Sequence, residues 1–149
     1  MLDALIKRLT GNAEAAPEDR RAAERTAIAA LLVEAARADG VYLDEERSMI
    51  AEVLADRYGL DAAGADALRS EGETAQKEAT DIVRFTRVLK DAIPHEDRVE
   101  ILEAVWRVVY ADGEGEAHET NLVRRLCGLL YIPDREAGLA RQQVTGERS

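Results

Sequence analysis

The residues of this 149-residue chain best suited to chemistry are acidic, and they sit in a pattern written twice. Ala38-Asp39-Gly40 leads to Glu46 and Ala111-Asp112-Gly113 leads to Glu119, so both copies read A-D-G-x5-E, 73 residues apart. Further acids crowd each copy: Asp44 and Glu45 in the first, Glu114 and Glu116 in the second. Carboxylates gathered on a short loop are hard oxygen donors, the ligand type that holds Ca²⁺, Mg²⁺ or Mn²⁺. Asp39, Glu46, Asp112 and Glu119 are therefore the candidate metal ligands, with Asp44, Glu45, Glu114 and Glu116 as additional candidates.

The spacing satisfies half of a calcium hand, which has a ligand at its fifth place, Gly at its sixth and Glu at its twelfth. The other half fails. The first and third places hold Ala35 and Arg37 in one copy and Val108 and Tyr110 in the other, all within helical patterns. Two readings remain. In one, the acids of each loop converge on a divalent cation. In the other, glycine makes the turn, Asp bonds loop amides, and Glu at the third helical position reaches back as half of a capping box. The reciprocal half needs Ser or Thr three residues earlier, where Leu43 and Glu116 stand. The helix dipole favours a Glu in the first turn of a helix and disfavours an Asp at a helix's carboxyl end.

The elements that must position these loops are helical. Leu2, Leu5, Ile6 and Leu9 predict a short amphipathic helix ending before Gly11, and an Ala- and acid-rich linker follows. A helix is predicted from about Pro17 to Ala38, with Ile28, Leu31, Leu32 and Ala35 as its apolar stripe and Gly40 as its stop. The next runs from Asp44 to Arg57 with Met49, Ile50, Val53 and Leu54 inward, and a weaker one follows an Asp61 cap toward Gly72 or Lys77. Thr80 or Asp81 caps a helix with Ile82, Phe85 and Leu89 inward, and Pro94 opens another. In that one Ile101, Leu102, Val105, Trp106, Val108 and Val109 cover a wide arc, which assigns it to the core. A helix from about Glu116 to Leu130 and one from Pro133 toward Gln143 complete the set. Period-two alternation is absent, so the chain reads as all-α: one compact bundle of about seven helices with an internal pseudo-repeat. Residues 1–19 read as a short helix and linker, 20–143 as the helical domain, and 144–149 as a disordered tail.

Composition narrows the function. Thirty acidic against twenty basic residues give a net charge of -10, which repels nucleic acid and favours cations or a basic protein partner. A run of 18 apolar residues is nowhere present, and the amino terminus lacks a signal-peptide pattern, so no membrane insertion and a cytoplasmic location are expected. The single Cys127 follows Leu126 in an apolar segment and reads as a buried thiol. His95-Glu96 and His118-Glu119 each lack the second His of a zinc-protease helix, and no Gly-Lys-Ser/Thr phosphate loop occurs, so no catalytic residues are assigned.

A helix, then A-D-G, then an acidic turn and a Glu opening the next helix, twice in an all-helical chain, resembles the tellurite-resistance TerB family. The resemblance covers roughly Ile28 to Leu130, on the segments ARADGVYLDEERSMI and VVYADGEGEAHETNLVRRL. It is shared with the central domain of DjlA-type co-chaperones, whose His-Pro-Asp signature this chain lacks. What the resemblance implies is a compact cytoplasmic bundle without established catalysis, proposed to bind metal ions through acids that fall here on Asp39, Glu46, Asp112 and Glu119. The functional expectation is thus a non-enzymatic module for divalent cations or metal stress. The alternative is a metal-independent interaction domain whose acidic loops bind a basic partner. Leu43 and Glu116 depart from the family pattern, in which a small hydroxyl residue is common at those places.

Overall fold

The computed structural model describes residues 17–38, 40–111 and 117–148, with side chains for 18–38, 40–111 and 121–146. The helix expected at Leu2–Leu9 lies outside the described residues. Those described form seven helices and no strand: α1 (Pro17–Ala36), α2 (Asp44–Tyr58), α3 (Ala62–Glu78), α4 (Val83–Ala92), α5 (His95–Val109), α6 (Ala117–Leu130) and α7 (Asp134–Arg148). The expected all-α bundle is what the chain forms.

Local chemistry sets most boundaries. Gly59 adopts a left-handed φ of 63° and ends α2, with the Leu60 amide donating to the Ala55 carbonyl at 3.1 Å. Such a φ costs glycine nothing because it has no Cβ. Asp61 caps α3 by accepting from the Gly64 amide at 2.7 Å. Of the two residues predicted to start α4, Asp81 makes the bond, accepting from the Val83 amide at 2.8 Å. α3 runs to Glu78, beyond the earlier of its expected ends, because its inner face continues through Gly72 and Ala75 against the core.

The core forms around two helices. α5 is buried along Ile101, Leu102, Val105, Trp106, Val108 and Val109, as its wide apolar arc requires. α1 is more enclosed than its expected stripe: every residue from Ala27 to Val33 is buried, as are Ala35 and Ala36. α2, α3, α4 and α5 all pack on it. A helix buried all round is apolar all round, and alanine lets its neighbours come close. The closest approach is to α3, where a Cβ added at Gly72 would stand 2.5 Å from Ala29 Cβ and 2.7 Å from the Ala29 carbonyl carbon. α6 packs on α4 and α5, and α7 on α5.

The carboxyl end differs from the expected loose tail. α7 continues to Arg148, and Val144 is only 3% exposed. Ala137, Ala140 and Val144 recur at helical spacing and join the core, so the helix has an apolar reason to persist past Gln143. Arg98 of α5 links several helix ends, donating to the Lys90 carbonyl at 3.0 Å, the Ile93 carbonyl at 3.1 Å and the Leu130 carbonyl at 3.2 Å. These carbonyls lie at the ends of α4 and α6, where the helix dipole favours a cation. Cys127 is buried as expected, and burial pushes its thiol upward with the charge of Asp134 adding to the effect. Among the described residues no helix is long and apolar enough to cross a membrane.

Candidate functional site

The two copies of the acidic pattern follow the two central helices. The Arg37 amide donates to the Val33 carbonyl at 2.9 Å and the Ala38 amide to the Ala35 carbonyl at 3.4 Å. The same pair of bonds recurs 73 residues on: the Tyr110 amide donates to the Trp106 carbonyl at 2.9 Å and the Ala111 amide to the Val108 carbonyl at 3.2 Å. Each helix therefore tightens into its loop through the same final bonds, the last being an i to i−3 contact typical of helix ends. The helices that follow begin at Asp44 and Ala117, again 73 residues apart, so Glu46 and Glu119 both fall at the third helical position. Among the described residues on either side of the two loops, sequence repeat and backbone repeat coincide.

In the first loop α1 stops at Ala36, two residues before the expected Ala38, and Gly40 takes a left-handed φ of 85°. Its amide donates back to the Arg37 carbonyl at 2.9 Å, closing the turn. Glu46 then turns inward at 3% exposure, and its Oε1 accepts from the Leu43 amide at 2.8 Å. That is one half of a capping box. Leucine has no side-chain acceptor to return the bond, so the reciprocal half is missing, as the sequence implies. Asp44 and Glu45, in the same turn, point to solvent.

α3 braces this loop from the side. Tyr42 donates its hydroxyl to Glu73 at 2.7 Å, and Arg69 donates to the same carboxylate at 2.6 Å. Arg37 donates to Gln76 at 2.6 Å, and Gln76 in turn donates to Glu34 at 2.7 Å. The guanidinium groups of Arg37 and Arg47 lie 5.1 and 4.6 Å from the centre of the Tyr42 ring, a cation–π arrangement. Burial, reinforced by the Glu73 carboxylate, pushes the Tyr42 hydroxyl up to about 12. Burial would raise Glu73 as well, but its bonds to Tyr42 and Arg69 outweigh that and lower it. The flank of the first loop is thus a fixed polar network, with Glu73 held ionised.

The second loop is flanked differently. Tyr110 stacks on Trp106 with ring centres 5.6 Å apart, and Arg141 of α7 donates to the Tyr110 hydroxyl at 2.9 Å while lying 4.8 Å from the Trp106 ring. Trp106 is core, as expected.

Of the candidate ligands, Glu46, Asp44 and Glu45 have described side chains, and they share the first turn of α2 with Glu46 inward and the other two outward. Asp39, Asp112, Glu114 and Glu116 lie outside the described residues, and Glu119 is described in its backbone alone. Among the described residues no three His, Cys, Asp or Glu side chains form a group able to hold a metal ion. Sequence reasoning did not find the bracing by Tyr42, Arg69, Glu73 and Gln76. The one available signal was an aromatic, Tyr42, inside the five variable positions of the first loop, since Glu73 lies 31 residues from Tyr42 along the chain and Gln76 lies 39 from Arg37.

Residues 25–142 match the model of the family described as Tellurite resistance protein TerB. The chain belongs to the TerB family. Comparison with curated proteins and with solved structures gives no match. The TerB match begins inside α1, ends inside α7 and takes in both acidic loops, so the duplicated pattern lies within the family domain.

Proposed function

We propose that this TerB domain is a non-enzymatic module that responds to divalent cations, with each A-D-G-x5-E loop supplying the carboxylates of one acidic site. The observation that carries the reading is the shared framework of the two loops: the same terminal helix bonds, and a Glu at the third position of the helix that follows. A framework held to the same register at two places, around the same acid, is what a repeated ligand set needs. The donors suit a hard cation, since all are carboxylate oxygens. In sequence Asp39 and Asp112 follow the carboxyl ends of α1 and α5, where a helix dipole disfavours negative charge, and a cation would offset that cost. Glu46 holds the Leu43 amide with one oxygen. A carboxylate has lone pairs for more than one partner, so the cap orients Glu46 without excluding a cation. Tyr42, Glu73 and Arg69 would keep the first loop in shape.

Calorimetric titration with Ca²⁺, Mg²⁺ and Mn²⁺, paired with thermal melts, tests this. Binding to the folded state alone stabilises by about 2.7 kcal/mol at a hundred times Kd. Heat and a raised midpoint are expected for the native chain and a loss of both for the Asp39→Asn, Asp112→Asn double variant. No heat and no shift at millimolar cation would overturn the proposal and leave the metal-independent reading, in which the loops attract a basic partner by charge.

A further inference from the structure

The outer face of α4 and α6 carries positive charge that the chain does not neutralise. Arg84 and Arg87 are exposed on α4, and Arg124 and Arg125 are exposed on α6. Among the described residues none of these four pairs with a carboxylate, whereas Arg57, Arg69 and Arg107 each do. α4 packs against α6, and Arg98 gathers their carboxyl ends by donating to the Lys90 and Leu130 carbonyls at 3.0 and 3.2 Å. Arg84 and Arg124, equally far back from those two residues, therefore stand level. We propose that this face docks a short acidic segment of a partner protein, its carboxylates on the arginines and an apolar side chain on the ring of Tyr131. The proposal concerns side chains outside the acidic loops and does not rest on the function of those loops.

Three features favour this occupant. The first is charge. In a chain of net charge -10, the described side chains of α4 and α6 include four arginines and Lys90 against a single acid, Asp91. Asp81 and Asp134 flank the pair, the first already holding the Val83 amide at 2.8 Å. The guanidinium fork matches a carboxylate with two parallel bonds, which a free arginine is ready to make. The second is the exposed ring. Tyr131 is 66% exposed and takes a left-handed φ of 55°, with the Ile132 amide donating to the Cys127 carbonyl at 2.9 Å. The first half closes α2 with the matching bond, from Leu60 to Ala55, and places Gly59 at the left-handed residue. A tyrosine there is strained, as residues at binding sites often are. Lys90 stands 4.3 Å from the centre of that ring, so ring and charge adjoin. Between Arg124 and Tyr131 lies Gly128, whose would-be Cβ has nothing within 4 Å, so another chain can approach the helix closely. The third is size. The ten residues of α4 span about 15 Å, the length of about five residues of extended chain. A longer polyanion or a charged bilayer would also lie against the acidic remainder of the molecule and be repelled by it. One exposed ring is too little apolar surface to enter a bilayer.

Fluorescence anisotropy on the full chain tests the proposal, with a short fluorescein-labelled peptide of glutamates ending in leucine as the probe. Saturable binding is expected at low salt, weakening as salt is raised. Arg84→Gln, Arg124→Gln keeps good helix formers at both exposed positions and is expected to weaken binding about tenfold. Tyr131→Gly is expected to weaken it about threefold with no fall in thermal midpoint, because glycine suits that φ. Arg20→Gln, Arg21→Gln, an exposed pair on α1, is expected to change nothing. No saturable binding overturns the proposal, as does equal binding by the native chain and the Arg84, Arg124 variant, or an equal loss in the α1 pair. Binding that Tyr131→Gly leaves untouched removes the ring from the site. Tighter binding to phosphatidylserine vesicles or to single-stranded DNA than to the peptide also overturns the proposal. So does a salt-sensitive dimer, seen by sedimentation and lost in the Arg84, Arg124 variant, which would assign the face to a second copy.

Discussion

Gly72→Ala places one methyl group where α1 and α3 meet, and its consequence follows from geometry. The new Cβ would lie 2.5 Å from Ala29 Cβ, 2.7 Å from the Ala29 carbonyl carbon and 3.0 Å from the Ala29 carbonyl oxygen. Carbon atoms prefer separations of about 3.5–4.0 Å, so the two helices must part by roughly an ångström. No rotamer change relieves this, because two of the three colliding atoms are main chain and Ala29 is fully buried. Overpacking of this kind costs about 3 kcal/mol, the upper part of the usual range. Alanine's better helix propensity returns about 1 kcal/mol. The predicted net loss is about 2 kcal/mol, a fall in midpoint of about 4–8 °C for a chain of this size. Gly128→Ala is the control. It sits in α6, is exposed and has nothing within 4 Å of its would-be Cβ, so the same change there should stabilise by about 0.5–1 kcal/mol. Urea and thermal unfolding followed by circular dichroism read both. A Gly72→Ala protein as stable as the native chain, or more so, refutes the close α1–α3 packing.

Three further predictions concern single contacts. Glu46→Ala removes the acceptor of the Leu43 amide and should cost about 1–2 kcal/mol in urea unfolding, whereas Glu46→Gln keeps an acceptor and should cost clearly less. Equal costs for the two would remove the cap from the account. Arg98→Ala should cost about 2–3 kcal/mol and speed amide exchange at the carboxyl ends of α4 and α6 together, since one guanidinium serves both; loosening of one end alone would contradict that sharing. Tyr42 is held neutral up to about 12, so in the folded chain it ionises after an ordinary tyrosine. Its contribution to stability is present below pH 10, where both states are protonated, and is lost as pH rises from 10 to 12, because the unfolded chain releases its proton first. Tyr42→Phe should delete a late step in the absorbance titration of the four tyrosines, and loss of a step near pH 10 instead would count against the Tyr42–Glu73 contact.

How much was legible in advance varied by element. The start of α3 at Asp61, the turn at Gly40 and the opening of α5 after Pro94 were readable because the bonds or constraints involved span four residues or fewer. The buried face of α4 and of the residue that precedes it was readable too, since Ile82, Phe85 and Leu89 have no polar alternative. α1 was not fully readable. Its Ala27, Ala29 and Ala30 suit either solvent or a tight interface, and only the neighbouring helices decide which. For the candidate site, the repeat and the third-position Glu were visible in the sequence, while the inward turn of Glu46 and the brace from α3 were not.

By itself, then, the sequence determined the helical class, the family and the two-fold acidic pattern, because periodicity, capping and motif spacing act over short stretches of chain. Only the tertiary structure decided that both pattern-bearing helices lie at the centre of the bundle, that Gly72 meets Ala29 there, and that Tyr42 finds Glu73. Those are contacts between residues 31 to 43 positions apart, and they depend on which small or polar side chains the packing of whole helices happens to bring face to face.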